Sequence, residues 1–369
     1  MTSVTSDKNN LFSPILLGEL ALPNRIIMAP LTRNRAGEGN VPQDMNVEYY
    51  RQRAGAGLII SEGSQISASG IGYPGTPGIH SEAQVAGWKR VTDAVHHEGG
   101  RIFIQLWHTG RISHSSLQPD HILPVAPSAL KAAGQAMTYE GLQDFETPHA
   151  LTLDELPDIV AEYATAAQHA KAAGFDGVEI HAANGYLLDQ FLRDGTNRRE
   201  DDYGGDIANR MRLLVEVVER TIAVWGAHRV GVRVSPENSF NDINDSQPQQ
   251  TFNGVAKKLS DYPLAYLHVL EGDMLTGQRH VDYVALRSCF AGLYMANNGY
   301  DLERGNRAIE QGHADMVAYG KLFIANPDLP VRFAKNLPLN TPDQVTFYGG
   351  DEKGYTDYPK YAGGGSPIN

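Results

Sequence analysis

Short apolar segments alternate with longer amphipathic segments along most of the chain, and this alternation limits the possible folds more than any other feature. Eight segments have the length and composition of buried strands: 25–30, 57–63, 101–108, 177–182, 229–236, 265–272, 292–299 and 316–321. Helical patterns lie between them, most clearly over 153–174 and over 209–226, where Gly226 suits a helix cap. Eight alternations favour a closed parallel barrel over an open doubly wound sheet. The sequence therefore predicts the α/β class and a (β/α)8 TIM barrel.

Two segments fall outside this alternation. Residues 11–24 contain two apolar runs around Gly18, which predicts an N-terminal hairpin that closes the floor of the barrel. Residues 109–151 are rich in Ser, Pro and His and lack helical periodicity, so we expect a capping insertion after the third strand that covers the active site. We predict one domain over residues 1–361, followed by a flexible tail over 362–369.

Charge and composition argue against several classes of function. The 31 basic and 43 acidic residues give a net charge of -12, which opposes binding to nucleic acid or to an anionic membrane. Residues 1–10 are polar and lack the apolar core of a signal peptide, and no apolar run is long enough to cross a bilayer. Cys289 is the only cysteine, so no internal disulfide can form, which fits a reducing compartment. We therefore expect a cytoplasmic enzyme that acts on small molecules.

The segment 180–192, IHAANGYLLDQFL, places three polar side chains within six residues: His181, Asn184 and Tyr186. Strand-like alternation precedes the triplet and apolar residues at helical spacing follow it, so it lies on a strand-to-helix loop. The carboxyl ends of barrel strands face the active site, which favours a functional role. By itself, however, such a triplet could simply satisfy buried backbone groups and begin a helix.

Further polar residues stand at the ends or inward positions of other strands. Thr32 follows the first strand, Gln105 alternates with apolar residues in the third, and Arg233 does so in the fifth. Each is costly to bury without a polar partner. For each residue alone a structural role stays open, since Arg233 could pair with Glu179 inside the barrel and Gln105 could bond to backbone.

Taken together, the motifs of the chain resemble the Old Yellow Enzyme family of FMN-dependent ene-reductases. In chain order they are APLTR, QLWHTGR, HAANGYL, N-x-R-x-D-x-YGG, GVRVSP, YGKLFIANPDL and GYTDYP. The resemblance runs from about Leu11 to Tyr361. It implies a barrel that holds FMN non-covalently, takes hydride from NADPH or NADH, and delivers it to an activated alkene.

The same resemblance implies where the flavin ring binds. Pro30, Thr32 and Gly63 would surround the ring, with the Thr32 hydroxyl bonding to a ring carbonyl. Gln105 and Arg233 would reach its pyrimidine side. A guanidinium held there would stabilise the negative charge of the reduced ring and raise its potential.

The flavin phosphate is expected where the last two loops of the barrel converge. Backbone N–H groups around Asn298, Gly299 and Gly320 would bind it, together with the side chain of Lys321. The family usually has arginine at the position of Lys321. Lysine provides a point charge without a bidentate fork, so we expect weaker retention of FMN.

The resemblance also assigns the donor triplet. His181 and Asn184 would bind the carbonyl or nitro oxygen of the substrate, because two fixed donors favour the charge that grows there as hydride adds. Tyr186, protonated at neutral pH, would supply a proton to the α carbon. Three aromatic residues would shape the substrate cavity or serve only as packing: Tyr73, Trp107 and Tyr348.

The leading interpretation is therefore an ene-reductase for enones, maleimides or nitroalkenes. A nitroester or nitroaromatic reductase on the same scaffold stays open, because it would use the same flavin and the same oxygen-binding pair. A flavin-binding redox sensor without turnover is the alternative from another class, and the complete donor triplet argues against it. A flavin-free aldolase is disfavoured, since no lysine occupies an evident central strand position.

Overall fold

The computed structural model describes residues 9–361, in which eight parallel strands close into a barrel. The strands in chain order are β1 (Ile15–Leu17), β2 (Leu20–Leu22), β3 (Ile26–Met28), β4 (Leu58–Gln65), β5 (Ile102–Trp107), β6 (Val125–Ala126), β7 (Gln135–Thr138), β8 (Gly141–Asp144), β9 (His149–Ala150), β10 (Gly177–Ala182), β11 (Val230–Val234), β12 (Tyr266–Leu270), β13 (Tyr294–Asn297) and β14 (Met316–Tyr319). The barrel runs β3, β4, β5, β10, β11, β12, β13, β14 and back to β3. Each predicted strand segment overlaps one of the barrel strands, although β4 extends two residues beyond the segment predicted over 57–63, so the predicted TIM barrel is confirmed.

Helices follow the strands and cover the outside of the barrel. They are α1 (Asp44–Gln52), α2 (Glu82–His97), α3 (Leu156–Ala172), α4 (Leu187–Leu192), α5 (Ile207–Arg210), α6 (Arg212–Trp225), α7 (Pro248–Leu259), α8 (Tyr283–Ser288), α9 (Leu302–Glu310), α10 (Lys321–Ala325) and α11 (Leu329–Ala334). The helix predicted over 209–226 is divided, because Met211 ends α5 and begins α6. Its predicted end is confirmed, since Gly226 caps α6 with a positive φ of 77°.

The N-terminal hairpin closes the floor of the barrel, as predicted. Strands β1 and β2 pair antiparallel across a turn in which Gly18 has a φ of 59°. Leu17 and Leu22 from this hairpin belong to the same buried cluster as Met295 and Met316 from barrel strands. The hairpin therefore contributes apolar side chains that fill one end of the barrel interior.

The insertion at 109–151 follows β5 and contains the short strands β6 to β9, of which β7 and β8 form a hairpin. Four of its residues share a buried cluster with Trp107 and Tyr186: Ile112, Ala132, Ala136 and Phe145. The insertion thus packs against the carboxyl end of the barrel, where the donor triplet lies.

The predicted tail, 362–369, and residues 1–8 lie outside the part of the chain that the structure describes. Within residues 9–361, no helix is both long enough and apolar enough to span a bilayer. The single domain over 1–361 and the cytoplasmic location stay predictions.

Candidate active site

The loop between β10 and α4, residues 183–186, carries two of the three predicted donors and has an unusual backbone. Asn184 and Gly185 both have positive φ, 59° and 79°, a conformation that asparagine tolerates better than most residues. The Asn184 amide N–H donates to Ser235 Oγ at 2.7 Å, and its carbonyl accepts from Asn241 Nδ2 at 2.8 Å. Contacts from the loop after β11 therefore hold this backbone in place.

His181 and Asn184 are both arranged as neutral hydrogen-bonding groups. The side-chain oxygen of Asn184 accepts from Asn238 Nδ2 at 2.9 Å, and among residues 9–361 its own Nδ2 donates to no protein acceptor. His181 is buried, and burial together with the charges of Arg233 and His268 lowers its pKa well below the ordinary value of 6.5. Its Nδ1 is buried without a hydrogen-bond partner in the described chain. Both side chains therefore have capacity left for a polar ligand.

Aromatic rings enclose the third donor, Tyr186. Its hydroxyl lies 3.1 Å from that of Tyr73, and its ring meets the Trp107 ring edge to face at 5.0 Å. The Tyr73 and Trp107 rings stack at 5.8 Å. Burial raises the pKa of Tyr186 to about 12, although the Tyr73 hydroxyl opposes the rise. Tyr348, 63% exposed, adds to this rise and stands at the open edge of the cluster.

A network of buried side chains lies within the barrel below these residues. The Glu179 carboxylate accepts from Gln105 Nε2 at 2.7 Å and is bound to His268 Nδ1 at 2.8 Å. Burial alone would raise the pKa of Glu179, but the neighbouring His268 and Arg233 hold it below its ordinary value. Arg233 itself donates to Asn297 Oδ1 at 2.9 Å.

This network excludes the structural roles that the sequence left open for Arg233 and Gln105. No salt bridge joins Arg233 to Glu179 within the described chain, and the Gln105 side chain bonds to a carboxylate instead of to backbone. Sequence reasoning missed His268 and Asn297. Their one signal was inward alternation within a strand, as for Gln105, but neither belongs to the motifs that we singled out.

The residues predicted around the flavin ring line the same end of the barrel. Arg233 is 6% exposed and its Nε is buried without a partner in the described residues, which is costly unless a ligand supplies an acceptor. A Cβ on Gly63 would stand 2.7 Å from the Trp107 ring, so only glycine fits there. Pro30 is buried and Thr32 half-buried in the loop after β3. These features fit a group that brings its own acceptor to Arg233.

The predicted phosphate site lies at the ends of the adjacent strands β13 and β14. Asn298 and Gly299 follow β13 with φ of 83° and 71°. Gly320 follows β14, and the exposed Lys321 begins α10. The backbone amides of Asn298, Gly299 and Gly320 donate to no protein acceptor within residues 9–361. These amides are therefore available to an anion.

Comparison with known proteins identifies the family. The sequence model of the NADH:flavin oxidoreductase / NADH oxidase family matches residues 10–340. The chain belongs to this family. It is 44% identical over 358 residues to putative 12-oxophytodienoate reductase 2 of Oryza sativa subsp. japonica, which covers 95% of this chain and 93% of the relative.

Two further proteins are similar to this chain over their whole length. A probable flavin mononucleotide-dependent alkene reductase of Leishmania infantum is 42% identical over 364 residues, 97% of this chain and 100% of the relative. The solved structure of morphinone reductase in complex with tetrahydroNAD has 48% sequence identity and a TM-score of 0.93, over 98% of this chain and 100% of that one.

The predicted resemblance to the Old Yellow Enzymes is thereby confirmed. The chain is an NAD(P)H-dependent flavin oxidoreductase whose cofactor is FMN and whose hydride donor is a nicotinamide. The roles of individual site residues stay predictions, and so does the choice between NADPH and NADH.

Proposed function

We propose that this flavin oxidoreductase reduces the activated C=C bond of α,β-unsaturated carbonyl compounds, maleimides and nitroalkenes. The observation that carries the proposal is the donor triplet at the end of β10: a neutral His181, a free Asn184 amide and a protonated Tyr186. Neutral donors suit an uncharged carbonyl or nitro oxygen that becomes negative during the reaction.

His181 and Asn184 would hold the substrate oxygen. The Asn184 side chain and backbone are both fixed by neighbouring groups, Asn238, Ser235 and Asn241. A donor that is already oriented needs little reorganisation as charge develops on the substrate oxygen. Its hydrogen bond therefore stabilises the transition state more than the ground state. Removing a single donor of this kind typically costs about 10²–10³ in rate.

Tyr186 would supply the proton. Its raised pKa of about 12 keeps the phenol protonated at neutral pH, so the proton to be donated is present. The Tyr73 hydroxyl, 3.1 Å away, would donate a hydrogen bond to the phenolate left when the proton departs. The stacked Trp107 and Tyr73 rings would help to exclude water from the reacting face.

The redox chemistry would come from bound FMN, which would take hydride from the nicotinamide and provide it for the substrate. Arg233, whose Nε lacks a partner in the described chain, would bind the pyrimidine side of the ring, next to Gln105. Pro30, Thr32 and Gly63 would contact the ring, and Asn298, Gly299, Gly320 and Lys321 the phosphate. Both nicotinamide and substrate would use the same cavity in turn.

An anaerobic visible spectrum tests the proposal. The purified protein is titrated first with NADPH or NADH and then with 2-cyclohexenone, with saturated cyclohexanone as the matched control. We expect the flavin absorbance to bleach with the nicotinamide, return with cyclohexenone, and stay bleached with cyclohexanone. Absorbance that bleaches but does not return with cyclohexenone, maleimides or nitroalkenes would contradict the proposal, and nitroesters and nitroaromatics would then test the alternative reductase.

A further inference from the structure

We infer that Arg279 and Arg304 position the FMN phosphate by holding the turn at Asn298 and Gly299, which we call the phosphate turn. Each guanidinium binds one backbone carbonyl of this turn. Neither arginine belongs to the motifs that carry the family resemblance. The inference rests on the phosphate site proposed above and names the side chains that keep its backbone amides in place.

Arg279 bridges the phosphate turn to a buried carboxylate. Its Nη2 donates to the Asn298 carbonyl, and its Nη1 pairs with Glu271 Oε2 at 2.8 Å. Glu271 is only 4% exposed and also accepts from the hydroxyls of Tyr294 at 2.9 Å and Tyr300 at 2.7 Å. Because two tyrosine hydroxyls fix Glu271, its pairing with Arg279 holds that guanidinium in one orientation against the turn.

Arg304 binds the second carbonyl from the first turn of α9. Its Nη1 donates to the Gly299 carbonyl at 3.0 Å, and its guanidinium lies over the Tyr300 ring at 4.4 Å. Within residues 9–361 no carboxylate forms a salt bridge with Arg304. Its positive charge beside the phosphate turn is therefore not cancelled by a direct ion pair.

The geometry of a trans peptide explains how the Arg279 contact would act on an anion. The described chain has no cis peptide, so the Gly299 N–H points away from the Asn298 carbonyl of the same peptide unit. An arginine that fixes the carbonyl on one side therefore aims the amide toward the other side. That amide donates to no protein acceptor within the described residues.

The backbone of the turn also needs such support. Asn298 and Gly299 are consecutive left-handed residues, with φ of 83° and 71°, and the left-handed conformation is unfavourable for a residue with a side chain. Charge-assisted bonds to both carbonyls offset this cost. They also place two cations near a site where this chain has Lys321 in place of the usual arginine.

Flavin binding to the full chain, freed of cofactor, tests the inference without any measurement of turnover. Wild type, Arg279→Gln and Arg304→Gln are titrated with FMN and with riboflavin, which lacks the phosphate, and flavin fluorescence gives the two Kd values. We expect each substitution to weaken FMN roughly tenfold, the effect of one charge-assisted hydrogen bond, and to leave riboflavin unchanged. Arg304→Lys, which keeps a charged donor, should recover most of the loss.

Arg307→Gln is the matched control, because Arg307 lies on the same helix and its side chain, within residues 9–361, forms an ion pair with Glu303 at 3.6 Å and none with the phosphate turn. It should bind FMN like wild type. Equal weakening of FMN and riboflavin, or no change in either, would overturn the inference. Lys321→Ala shows whether such a result comes from the two arginines or from the phosphate site itself. If Lys321→Ala also leaves the Kd for FMN unchanged, the proposed phosphate site is wrong. If Lys321→Ala alone weakens FMN binding, only the role of the two arginines is wrong.

Discussion

The donor loop, His181 to Tyr186, and the phosphate turn lie at carboxyl ends of different barrel strands, and they present hydrogen-bond donors by opposite means. The donor loop uses side chains, and its backbone is tied down by Ser235 and Asn241. The phosphate turn offers backbone amides, and side chains hold its carbonyls. A side-chain donor requires a particular residue type at its position, whereas a backbone N–H donor requires only that the backbone has the correct conformation. We therefore expect the donor loop to tolerate substitution poorly and the cations around the phosphate turn to be exchangeable.

His181→Ala should slow catalysis more than any other substitution in the donor loop. Loss of one preorganised donor to the substrate oxygen should lower kcat/KM for 2-cyclohexenone by about 10³. FMN content, read from the visible spectrum, should stay as in wild type, because the proposed flavin contacts lie on other strands. His97→Ala, at the exposed end of α2, is the control. A loss below tenfold would show that His181 does not hold the reacting oxygen.

Tyr186→Phe removes the proposed acid and keeps the ring. Rapid mixing should find reduction by the nicotinamide nearly unchanged, while transfer to 2-cyclohexenone slows by about 10². Protonation from solvent can rescue some substrates, so several enones should be compared. If alkene turnover were unchanged with all of them, Tyr186 would have no part in the reaction.

Asn241→Ala asks whether support of the donor loop matters as much as the donors themselves. Asn241 Nδ2 bonds to the Asn184 carbonyl, where the backbone has a positive φ. Without this bond the loop should lose part of its orientation, and kcat/KM for 2-cyclohexenone should fall about tenfold, as for loss of a single hydrogen bond. A fall as large as that of His181→Ala would mean that the loop collapses, which the thermal unfolding midpoint would reveal.

The donor loop should also be insensitive to pH across the ordinary range. An acid is lost as pH rises through its pKa, which is about 12 for Tyr186, and His181 gains a proton only below its lowered pKa. Asn184 does not titrate. Transfer to 2-cyclohexenone, measured by rapid mixing between pH 6 and about 10, should therefore be flat. A decline centred near the ordinary tyrosine value of about 10 would show that burial does not govern Tyr186.

These regions also differ in how far the sequence predicted them. Barrel strands are buried on both faces, so segments such as 25–30 appear as nearly continuous apolar runs and were identified directly. The donor triplet was found because its members lie within six residues. The break at Met211 was missed, since the apolar pattern of the helix continues through it.

Partners from distant strands could not be predicted, because they depend on register. Glu179 meets Gln105 and His268 only because β10 pairs with β5 and β12 lies two strands away. The Asn-Gly pair of the phosphate turn favours the positive φ found there, but it does not specify that Arg279 and Arg304 bind the carbonyls of the turn. Side chains that support a site are therefore harder to predict from the sequence than the residues of the site itself.

Lys321→Arg should change FMN retention only slightly, and it tests directly whether the cations around the phosphate turn are exchangeable. The family resemblance predicts that lysine at this position retains FMN less well than arginine. If Arg279 and Arg304 already hold the phosphate turn, the substitution should slow flavin loss on dilution by about threefold or less, because the oriented backbone amides bind the phosphate in either variant and lysine and arginine carry the same charge. Flavin fluorescence after dilution measures the rate, with Lys335→Arg, at the exposed end of α11, as control. A gain of tenfold or more would mean that the position of Lys321 governs retention and that the two arginines do not compensate for it. The phosphate turn would then depend on residue type as strictly as the donor loop.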